Sequence, residues 1–364
     1  MGPSVEDLRE QIRRLDIEIV AAAARRIALA RDVGEAKRRA HRPLVDYAQE
    51  RAVLDRARTA AEEAGLDPQV ADAILVSLIR ASVSAQDRDR VRDASVGAGK
   101  NAVVVGGEGR MGRWFMQFLA AQGYTAGSLD LRASEEENGW ARAALPAADL
   151  VIMAAPPTAT ATLYDSWAAA PPAGIIADIA SIKTPLVAPI RRLQQAGARV
   201  ASLHPMFGPS VLLLRDCDVV ICDTGDDGAA AVVEQLFRPT TARVLHLPLD
   251  EHDRLMADVL TLAHATVIAF ALALPRTPSP LRSTTLGALQ ALSTNLLNES
   301  PDVYFEIQAK NPNSAAALER LGAAVSRVAT AVANQDANAF RDLMDEGRAH
   351  TGVRPGSDQG QTKV

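Results

Sequence analysis

A glycine-rich segment that separates a strand pattern from a helix pattern constrains the fold of this chain most strongly. Residues 102–105 form an apolar run typical of a buried strand, which leads into Gly107-Glu108-Gly109-Arg110-Met111-Gly112 and then a predicted helix at 113–122. A second predicted strand ends at Asp130, an acidic residue 18 positions after the last glycine. Strand, glycine turn, helix and acid in this order predict a dinucleotide-binding α/β domain of the Rossmann type.

The residue types of this unit indicate how it would bind a dinucleotide. Glycines permit the tight turn and the close approach of a pyrophosphate, whose charge the helix amino terminus favours. Asp130 can accept a hydrogen bond from a ribose 2′-hydroxyl, which favours NAD, while Arg132 nearby leaves NADP as an alternative. A nucleotide-free α/β turn is the structural alternative. The candidate cofactor-binding residues are Gly107, Gly109, Arg110, Met111, Gly112 and Asp130.

Four further apolar runs predict strands later in the chain, at residues 149–154, 174–179, 199–203 and 219–222. Turn residues follow each run. Because parallel strands of an open α/β sheet end on one edge, we expect all four to end on the edge that faces the nicotinamide.

Two polar residues follow the second and third of these runs and are candidates for chemistry. Ser181 and His204 would emerge from neighbouring strand ends, where a serine hydroxyl can orient an imidazole and His204 can act as a catalytic base. His204 lies in Leu203-His204-Pro205-Met206-Phe207-Gly208-Pro209, between a strand and a turn. A structural role is the alternative for each, since a lone histidine is often a satisfied structural residue.

The segment before the glycine motif has helical patterns only. Helices are predicted at residues 6–38, 46–64 and 68–90. The apolar stripe of the first helix is long, narrow and rich in alanine, a pattern that suits close helix pairing. Since little in the same segment can cover it, we expect its partner in a second chain.

Charged residues of this helical segment can be placed by helical geometry. Arg26 and Lys37 are eleven residues apart and so lie on one face, roughly 16 Å apart along the axis, where their side chains can converge on a small anion. A solvated basic face is the alternative. Arg9 lies about 100° away around the helix and would serve a different pocket. Ser82 and Gln86, spaced i,i+4, share a face of the third helix.

The last third of the chain returns to helical patterns, predicted at residues 251–274, 283–297, 301–310 and 314–333, with a final helix ending near His350. The apolar run at 259–274 is interrupted by His264 and falls short of the roughly 18 residues of a membrane-spanning helix. It is predicted to be a buried helix.

Composition excludes several classes of protein. A net charge of -5 gives no basic surface for nucleic acid, and a neutral mean hydropathy argues against a membrane protein. Two cysteines argue against a disulfide framework or a metal site and favour a reducing, cytoplasmic environment. At 364 residues the chain is long enough for two or three domains, at about 150 residues for each.

These patterns predict a multidomain chain with an all-α, then an α/β, then an all-α domain. The predicted parts are a helical domain at 1–92, a linker at 93–100, a nucleotide-binding domain at 101–247, a helical dimerisation or substrate domain at 248–350 and a disordered tail at 351–364.

The first helical segment resembles the chorismate mutase domain. The similarity, in the family's order, rests on Leu8-Arg9-Glu10-Gln11-Ile12, Arg26, Gly34-Glu35-Ala36-Lys37, His41-Arg42-Pro43, Asp46, Glu50-Arg51 and Ser82-Val83-Ser84-Ala85-Gln86. The family is an intertwined helical dimer, which fits the unpartnered first helix. The resemblance therefore implies a homodimer and a pericyclic rearrangement, which needs no covalent catalyst.

The resemblance also implies roles for individual residues of this domain. Arg26 and Ser82 would hold substrate carboxylates, and Arg9 would reach into the partner's pocket. Lys37 and Gln86 would donate hydrogen bonds to the ether oxygen, where negative charge develops as the bond breaks.

Two acidic residues and one departure concern the ring of the substrate. Asp46 and Glu50 would contact the substituent on ring carbon 4. The family usually has arginine where this chain has Gln49, so one positive charge beside the substrate is missing.

The chain after residue 100 resembles prephenate dehydrogenase, by residues 103–112, Asp178-Ile179-Ala180-Ser181-Ile182-Lys183, residues 203–209 and Glu251-His252-Asp253. The whole chain is thus similar to the bifunctional mutase–dehydrogenases of tyrosine biosynthesis, in the shikimate pathway. By resemblance, His204 accepts the proton of the ring hydroxyl while hydride passes to NAD, and Ser181 orients His204. His264 falls where the family has a substrate-pocket histidine, with a core residue as the alternative.

A second departure opens an alternative substrate. Where the family places an arginine that binds a substrate carboxylate, this chain has Asn295, which cannot replace the charge. Relatives in antibiotic pathways act on 4-amino-4-deoxyprephenate and form 4-aminophenylpyruvate, and fewer arginines would suit such a cationic substrate. Two further alternatives are a dehydrogenase whose inactive mutase domain serves dimerisation, and a binding protein that senses an aromatic acid.

Overall fold

The computed structural model of the chain describes residues 2–40, 46–211, 214–276, 281 and 283–352, with the side chains of Tyr47 and Glu137 excepted. The motif residues His41-Arg42-Pro43 and residues 353–364 of the predicted tail lie outside these residues. The chain forms two compact units, Met1–Ser181 with Pro185–Leu249, and Ile182–Thr184 with Asp250–Val364.

Three helices open the first unit, close to the predicted ranges: α1 (Val5–Arg39), α2 (Tyr47–Ala64) and α3 (Pro68–Ala94). Ser4 and Asp7 form a capping box at the start of α1, because each side chain accepts a hydrogen bond from the other residue's backbone N–H. Helix α3 continues to Ala94, into the segment suggested as a linker. Beyond it, the Gly97 N–H donates to the Gln122 carbonyl, so this connection is packed onto the α/β part.

A seven-stranded sheet forms the α/β part, with the strands β1 (Asn101–Val105), β2 (Thr125–Leu129), β3 (Leu150–Met153), β4 (Ile175–Asp178), β5 (Arg199–Pro205), β6 (Asp218–Asp223) and β7 (Arg243–Pro248). Their order is β2-β1-β3-β4-β5-β6-β7. The first five strands run parallel, as predicted. The chain therefore reverses its direction of winding between β1 and β3, where open α/β sheets form a ligand crevice.

The prediction that the run at 219–222 ends on the same edge is wrong, because β6 pairs antiparallel to β5. The residues described between β5 and β6 include no helix, and a parallel pair needs such a crossover connection. The carboxyl end of β6 consequently lies on the opposite edge of the sheet from His204.

Helices α4 (Arg110–Ala121), α5 (Glu135–Ala144), α6 (Pro157–Trp167), α7 (Val187–Gln195) and α8 (Asp227–Phe237) accompany this sheet. Successive strand residues face opposite sides, so Val104 packs in one apolar cluster with Phe115 of α4, and Val103 in another with Tyr164 of α6. Each fully buried aromatic or branched side chain contributes about 1.5–3 kcal/mol, which fixes the strand ends relative to one another.

The second unit is helical, with α9 (Leu249–Met256), a π-helical turn (Ala257–Leu262), α10 (Ala263–Ala273), α11 (Thr284–Leu297), α12 (Pro301–Ala309), α13 (Ser314–Ala333) and α14 (Ala337–Thr351). The prediction of a buried helix at 259–274 is wrong for the single chain, because every residue of α10 is at least partly exposed. By length and composition, the span Leu249–Ala273 could also cross a membrane, with a mean hydropathy of 1.9. Core helices of soluble proteins meet the same criterion. Part of the apolar surface of this span is not covered within the single chain.

Candidate active sites

The glycine turn after β1 is too crowded for side chains. A Cβ at Gly112 would lie 2.1 Å from the Gly106 carbonyl oxygen, and one at Gly107 would lie 2.3 Å from Ser128 Oγ. Gly106 itself has a φ of +80°, and a Cβ there would lie 2.6 Å from the Ala154 carbonyl oxygen. Sequence analysis missed Gly106, although the paired glycine directly after a strand was the available signal.

Helix α4 begins immediately after this turn, with Gly109 as its N-cap. Since glycine has no side chain to occupy the first amides, the helix amino terminus lies open to an anion beside the glycine backbone. Arg110, Met111 and Gly112 form its first turn. The cradle of small residues and backbone amides fits the pyrophosphate of a dinucleotide.

Asp130 follows β2 on the same edge of the sheet. Its carboxylate accepts hydrogen bonds from the Glu108 N–H at 3.1 Å and from the Arg132 N–H at 2.9 Å, and the Arg132 side chain lies 3.3 Å away. Burial raises the pKa of Asp130, but these hydrogen bonds outweigh burial and hold the pKa below its usual value. Asp130 is therefore an anion next to the glycine turn.

Ser181 and His204 follow the paired ends of the neighbouring strands β4 and β5. The last pair of the register joins Asp178 to Ser202, three residues before Ser181 and two before His204. His204 is the penultimate residue of β5 and is only 5% exposed. Asp178, fully buried, accepts a hydrogen bond from the Ala180 N–H at 3.1 Å and shapes the turn that carries Ser181.

A buried carboxylate of the second unit fixes the residues that follow Ser181. Asp253 accepts hydrogen bonds from the N–H groups of Lys183 and Thr184, both at 2.7 Å, and from Thr184 Oγ1 at 2.6 Å. His252 Nδ1 lies 2.8 Å from the same carboxylate. Burial raises the pKa of Asp253, but the hydrogen bonds lower it by more. The net pKa is below its usual value, so Asp253 remains an anion. Asp253 belongs to the motif Glu251-His252-Asp253, but the sequence analysis assigned it no role.

The mutase-like helices bring together three of the residues named from the sequence. Arg26 of α1 donates a hydrogen bond to Ser82 Oγ of α3 at 2.9 Å, and burial lowers the pKa of this arginine. Gln86 is buried and its amide donates to the Ala30 carbonyl. A Cβ at Gly34 would lie 2.8 Å from Gln86 Cγ, so the lack of a side chain at this position lets α1 and α3 approach closely.

Three other residues of this region lie closer to solvent. Lys37 is half-buried near the end of α1, whereas Arg9 is exposed on its first turns. Asp46 is the N-cap of α2 and accepts a hydrogen bond from the Gln49 N–H at 3.0 Å. One oxygen of Asp46 therefore serves the helix end, a role that the sequence analysis did not assign.

Glu50 has a partner from the α/β part. Arg215, in the segment after β5, donates two hydrogen bonds to the Glu50 carboxylate, at 2.8 and 2.9 Å. Their side chains are 24% and 12% exposed. The sequence offered no signal for this pair, because 165 positions separate the two residues.

In the second unit, His264 and Asn295 lie on the adjacent helices α10 and α11. The His264 ring packs edge-on against Tyr304 at 4.5 Å, and its Nδ1 is buried without a hydrogen-bond partner among the described residues. Burial lowers the pKa of His264 to about 4, which keeps the imidazole neutral. Asn295 is exposed on α11.

Comparison with known proteins identifies both parts of the chain. Residues 8–87 match the family of type II chorismate mutases, and residues 123–246 match the nucleotide-binding domain of prephenate dehydrogenases. The 4-amino-4-deoxyprephenate dehydrogenase of Streptomyces pristinaespiralis is 32% identical over 275 residues, which cover 69% of this chain and 90% of that protein. The T-protein of Enterobacter agglomerans is 29% identical over 86% of this chain and 84% of its own length.

The fold has solved counterparts as well. A prephenate dehydrogenase from A. aeolicus, solved with hydroxyphenyl propionate and NAD+, superposes with a TM-score of 0.55 at 16% identity, over 70% of this chain and 98% of that one. The architecture predicted from the sequence, with helices ahead of a nucleotide-binding sheet and helices after it, is confirmed. The chain belongs to the prephenate dehydrogenase family and carries a type II chorismate mutase domain ahead of its nucleotide-binding domain.

Proposed function

We propose that this chain is a bifunctional enzyme that rearranges chorismate to prephenate and then converts prephenate to 4-hydroxyphenylpyruvate with NAD. The observation that carries the proposal is the position of His204, an imidazole 5% exposed at the carboxyl end of β5. It lies on the same sheet edge as the glycine turn and beside the strand that leads to Ser181. Open parallel sheets bind their ligands at this edge.

The cofactor would be held by the glycine turn and the first turn of α4, with Asp130 at the ribose. When bound, NAD accepts a hydride from ring carbon 4 of the substrate. The lowered pKa of Asp130 supports NAD rather than NADP, because a carboxylate repels a 2′-phosphate. Arg132 donates hydrogen bonds to Asp130 from its backbone N–H and from its side chain, so its charge is partly neutralised by that carboxylate.

His204 supplies the base for the oxidation. Its imidazole takes the proton of the hydroxyl on ring carbon 4 as that carbon loses its hydride, so that a carbonyl forms. The electrons of the bond to the ring carboxylate then flow through the ring to the carbonyl oxygen, which takes the proton back from His204, so that the ring becomes a phenol as carbon dioxide leaves. Ser181 orients His204, and Asp178 and Asp253 support this by fixing the turn on either side of Ser181.

The mutase half needs positioned charges and no nucleophile. Arg26 and Ser82 bind substrate carboxylate, and Arg9 reaches the pocket of a partner chain. Lys37 and Gln86 stabilise the negative charge that develops on the ether oxygen. The hydrogen bond between Arg26 and Ser82 supports this arrangement, because it already joins α1 to α3 at the proposed carboxylate site.

The amino analogue is the second candidate substrate. The relative from Streptomyces pristinaespiralis is named for 4-amino-4-deoxyprephenate, and this chain has neutral Gln49 and Asn295 where arginines are expected. The pairing of Glu50 with Arg215 favours the hydroxyl substrate, because it neutralises a carboxylate that would otherwise attract an amine. His264, as a neutral ring beside Tyr304, suits either substrate.

Steady-state kinetics with prephenate and with 4-amino-4-deoxyprephenate test the choice. The proposal requires a higher kcat/KM for prephenate, and a clear preference for the amino compound would replace it with the second candidate. Chorismate disappearance without NAD tests the mutase, since an inactive domain used only for dimerisation would leave chorismate intact. Failure to reduce NAD with either substrate would support the aromatic-acid sensor instead.

A homodimer and a cytoplasmic location complete the proposal. Helix α1 exposes a row of large apolar side chains, including Ile17 at 65% and Val20 at 68%, and α10 exposes Leu272 at 81%. A monomer rarely leaves such long apolar faces in water, so a second copy of the chain is the proposed cover. The low cysteine content of the sequence, with Cys217 and Cys222 alone, supports a reducing compartment.

A further inference from the structure

A buried asparagine closes the turn that follows β2. Asn138 lies in the first turn of α5 and is only 4% exposed, whereas its neighbours Glu136 and Gly139 are exposed. Asparagine side chains usually face water, and a buried one is expected to bind polar groups of the protein. The groups that Asn138 binds all belong to the turn at residues 130–134, which carries the acidic residue of the proposed cofactor site.

The side-chain amide of Asn138 binds both backbone groups of Asp130. Its Oδ1 accepts a hydrogen bond from the Asp130 N–H at 3.0 Å, and its Nδ2 donates to the Asp130 carbonyl at 2.9 Å. The same nitrogen donates to the Ala133 carbonyl at 3.2 Å. The N–H and the carbonyl of one residue belong to the peptide planes on either side of it. Asn138 therefore fixes the backbone conformation of Asp130 and the direction in which its side chain leaves the turn.

From this fixed backbone, the Asp130 carboxylate points to the glycine turn. Its Oδ2 accepts a hydrogen bond from the Glu108 N–H at 3.1 Å, and its Oδ1 accepts one from the Arg132 N–H at 2.9 Å. The Arg132 guanidinium makes longer contacts with the carboxylate, at 3.3 and 3.5 Å, and is 69% exposed. Since a carboxylate has about four acceptor sites, a ribose hydroxyl that displaces these long contacts can also bind it.

We propose that Asn138 is a positioning residue that sets the preference for NAD over NADP by fixing Asp130. The inference rests on the proposed cofactor site, because Asn138 acts only through Asp130. The fixed carboxylate accepts a hydrogen bond from a ribose 2′-hydroxyl and repels a 2′-phosphate. Without the amide of Asn138, the turn is free to move, so Asp130 turns away from the ribose and releases Arg132 for a phosphate.

Equilibrium binding of NADH and of NADPH to the full chain, followed by the fluorescence of the nicotinamide, tests this role without the reaction. Asn138→Ala should weaken NADH binding about tenfold, because Asp130 no longer holds the ribose hydroxyl, and should change NADPH binding by less than about threefold. A purely structural role for Asn138 makes a different prediction, since a damaged site loses both cofactors alike. Equal weakening of NADH and NADPH binding would therefore overturn the proposal.

A double-variant cycle tests whether Asn138 acts through Asp130. Asp130→Ala removes the carboxylate, so adding Asn138→Ala to it should change NADH binding by less than about twofold, because residues that act as one unit are not additive. If the two substitutions instead multiply their effects on NADH binding, Asn138 acts independently of Asp130 and the proposal is wrong.

Gln122→Ala is the matched control, because Gln122 is also a buried amide that donates to a backbone carbonyl, that of Leu236 at 3.1 Å. It lies at the far end of α4 from the glycine turn, so the ratio of NADH to NADPH affinity should stay unchanged. Asn138→Asp, which keeps the size and places a negative oxygen beside two carbonyls, should lower this ratio if Asn138→Ala does not fold. A wild-type chain that binds neither cofactor would remove the proposed cofactor site and this inference together. Wild-type binding of NADH with an unchanged ratio in the folded Asn138 variants would overturn the inference alone.

Discussion

Arg215 holds the carboxylate of Glu50 through two hydrogen bonds, at 2.8 and 2.9 Å, and thereby joins the mutase helix α2 to the segment that follows the strand of His204. The pair is largely buried, with Arg215 12% and Glu50 24% exposed. Two parallel N–H donors on one carboxylate fix orientation as well as distance. The proposed mutase pocket is therefore shaped in part by a residue of the nucleotide-binding part.

Arg215→Ala should lower the free energy of unfolding by about 1–3 kcal/mol, because it leaves the Glu50 carboxylate partly buried without its cation. Urea unfolding measures this loss. Mutase kcat/KM should fall more than dehydrogenase kcat/KM, since Glu50 becomes mobile. Arg243→Ala is the control, because the Arg243–Asp218 pair has the same bidentate geometry at 2.7 and 2.8 Å but Arg243 is exposed. Equal losses in both variants would contradict the role given to the Glu50–Arg215 pair.

His204→Asn should reduce dehydrogenase kcat by about 10²- to 10⁴-fold and leave the mutase activity intact, because it removes the base and keeps a polar side chain of similar size. NAD reduction and chorismate disappearance, measured on one preparation, check the two halves. His246→Asn is the control, since His246 is a 59% exposed histidine of β7. Loss of both activities in His204→Asn would mean that the substitution unfolds the protein, and full dehydrogenase activity would exclude His204 as the base.

Gly112→Ala should raise the KM for NAD and destabilise the protein by about 1–3 kcal/mol, because the new Cβ would lie 2.1 Å from the Gly106 carbonyl oxygen. Initial rates against NAD concentration and thermal unfolding measure the two effects. Gly139→Ala offers the contrast, as no atom lies within 4 Å of its Cβ in helix α5. A normal KM for NAD in Gly112→Ala would argue that the turn does not hold the cofactor.

His264→Phe should make the free energy of unfolding less dependent on pH between pH 7 and pH 4. The folded-state pKa of His264 is lowered from 6.5 to about 4 by burial, so between these values the unfolded chain binds the extra proton and stability falls as the pH is lowered. After allowance for solvent screening, the wild type should lose up to about 2 kcal/mol from this group between pH 7 and pH 4, and the variant should not. Urea unfolding at both pH values compares them, and parallel losses would rule out a buried neutral histidine.

Local patterns in the sequence predicted much of the architecture. The glycine turn, the five parallel strands and the start of each N-terminal helix depend on backbone sterics, period and capping, which act over a few residues. Ser181 and His204 could be related without a structure because parallel strands necessarily end on one edge. The same logic failed for β6, since strand direction there depends on a connection without a helix.

Contacts across the fold were decided by tertiary structure alone. Glu50 binds Arg215, which is 165 positions away in the sequence, and Asp253 binds the backbone of Lys183, which is 70 positions away. No local sequence pattern predicts either pair. The exposure of α10 could not be predicted either, because the hydrophobicity of a helix does not show which surface packs against it. Sequence alone determined which elements form and which chemistry their ends carry, through short-range sterics and periodicity. Packing decided which charges meet and which apolar faces remain open, because these depend on the arrangement of distant segments.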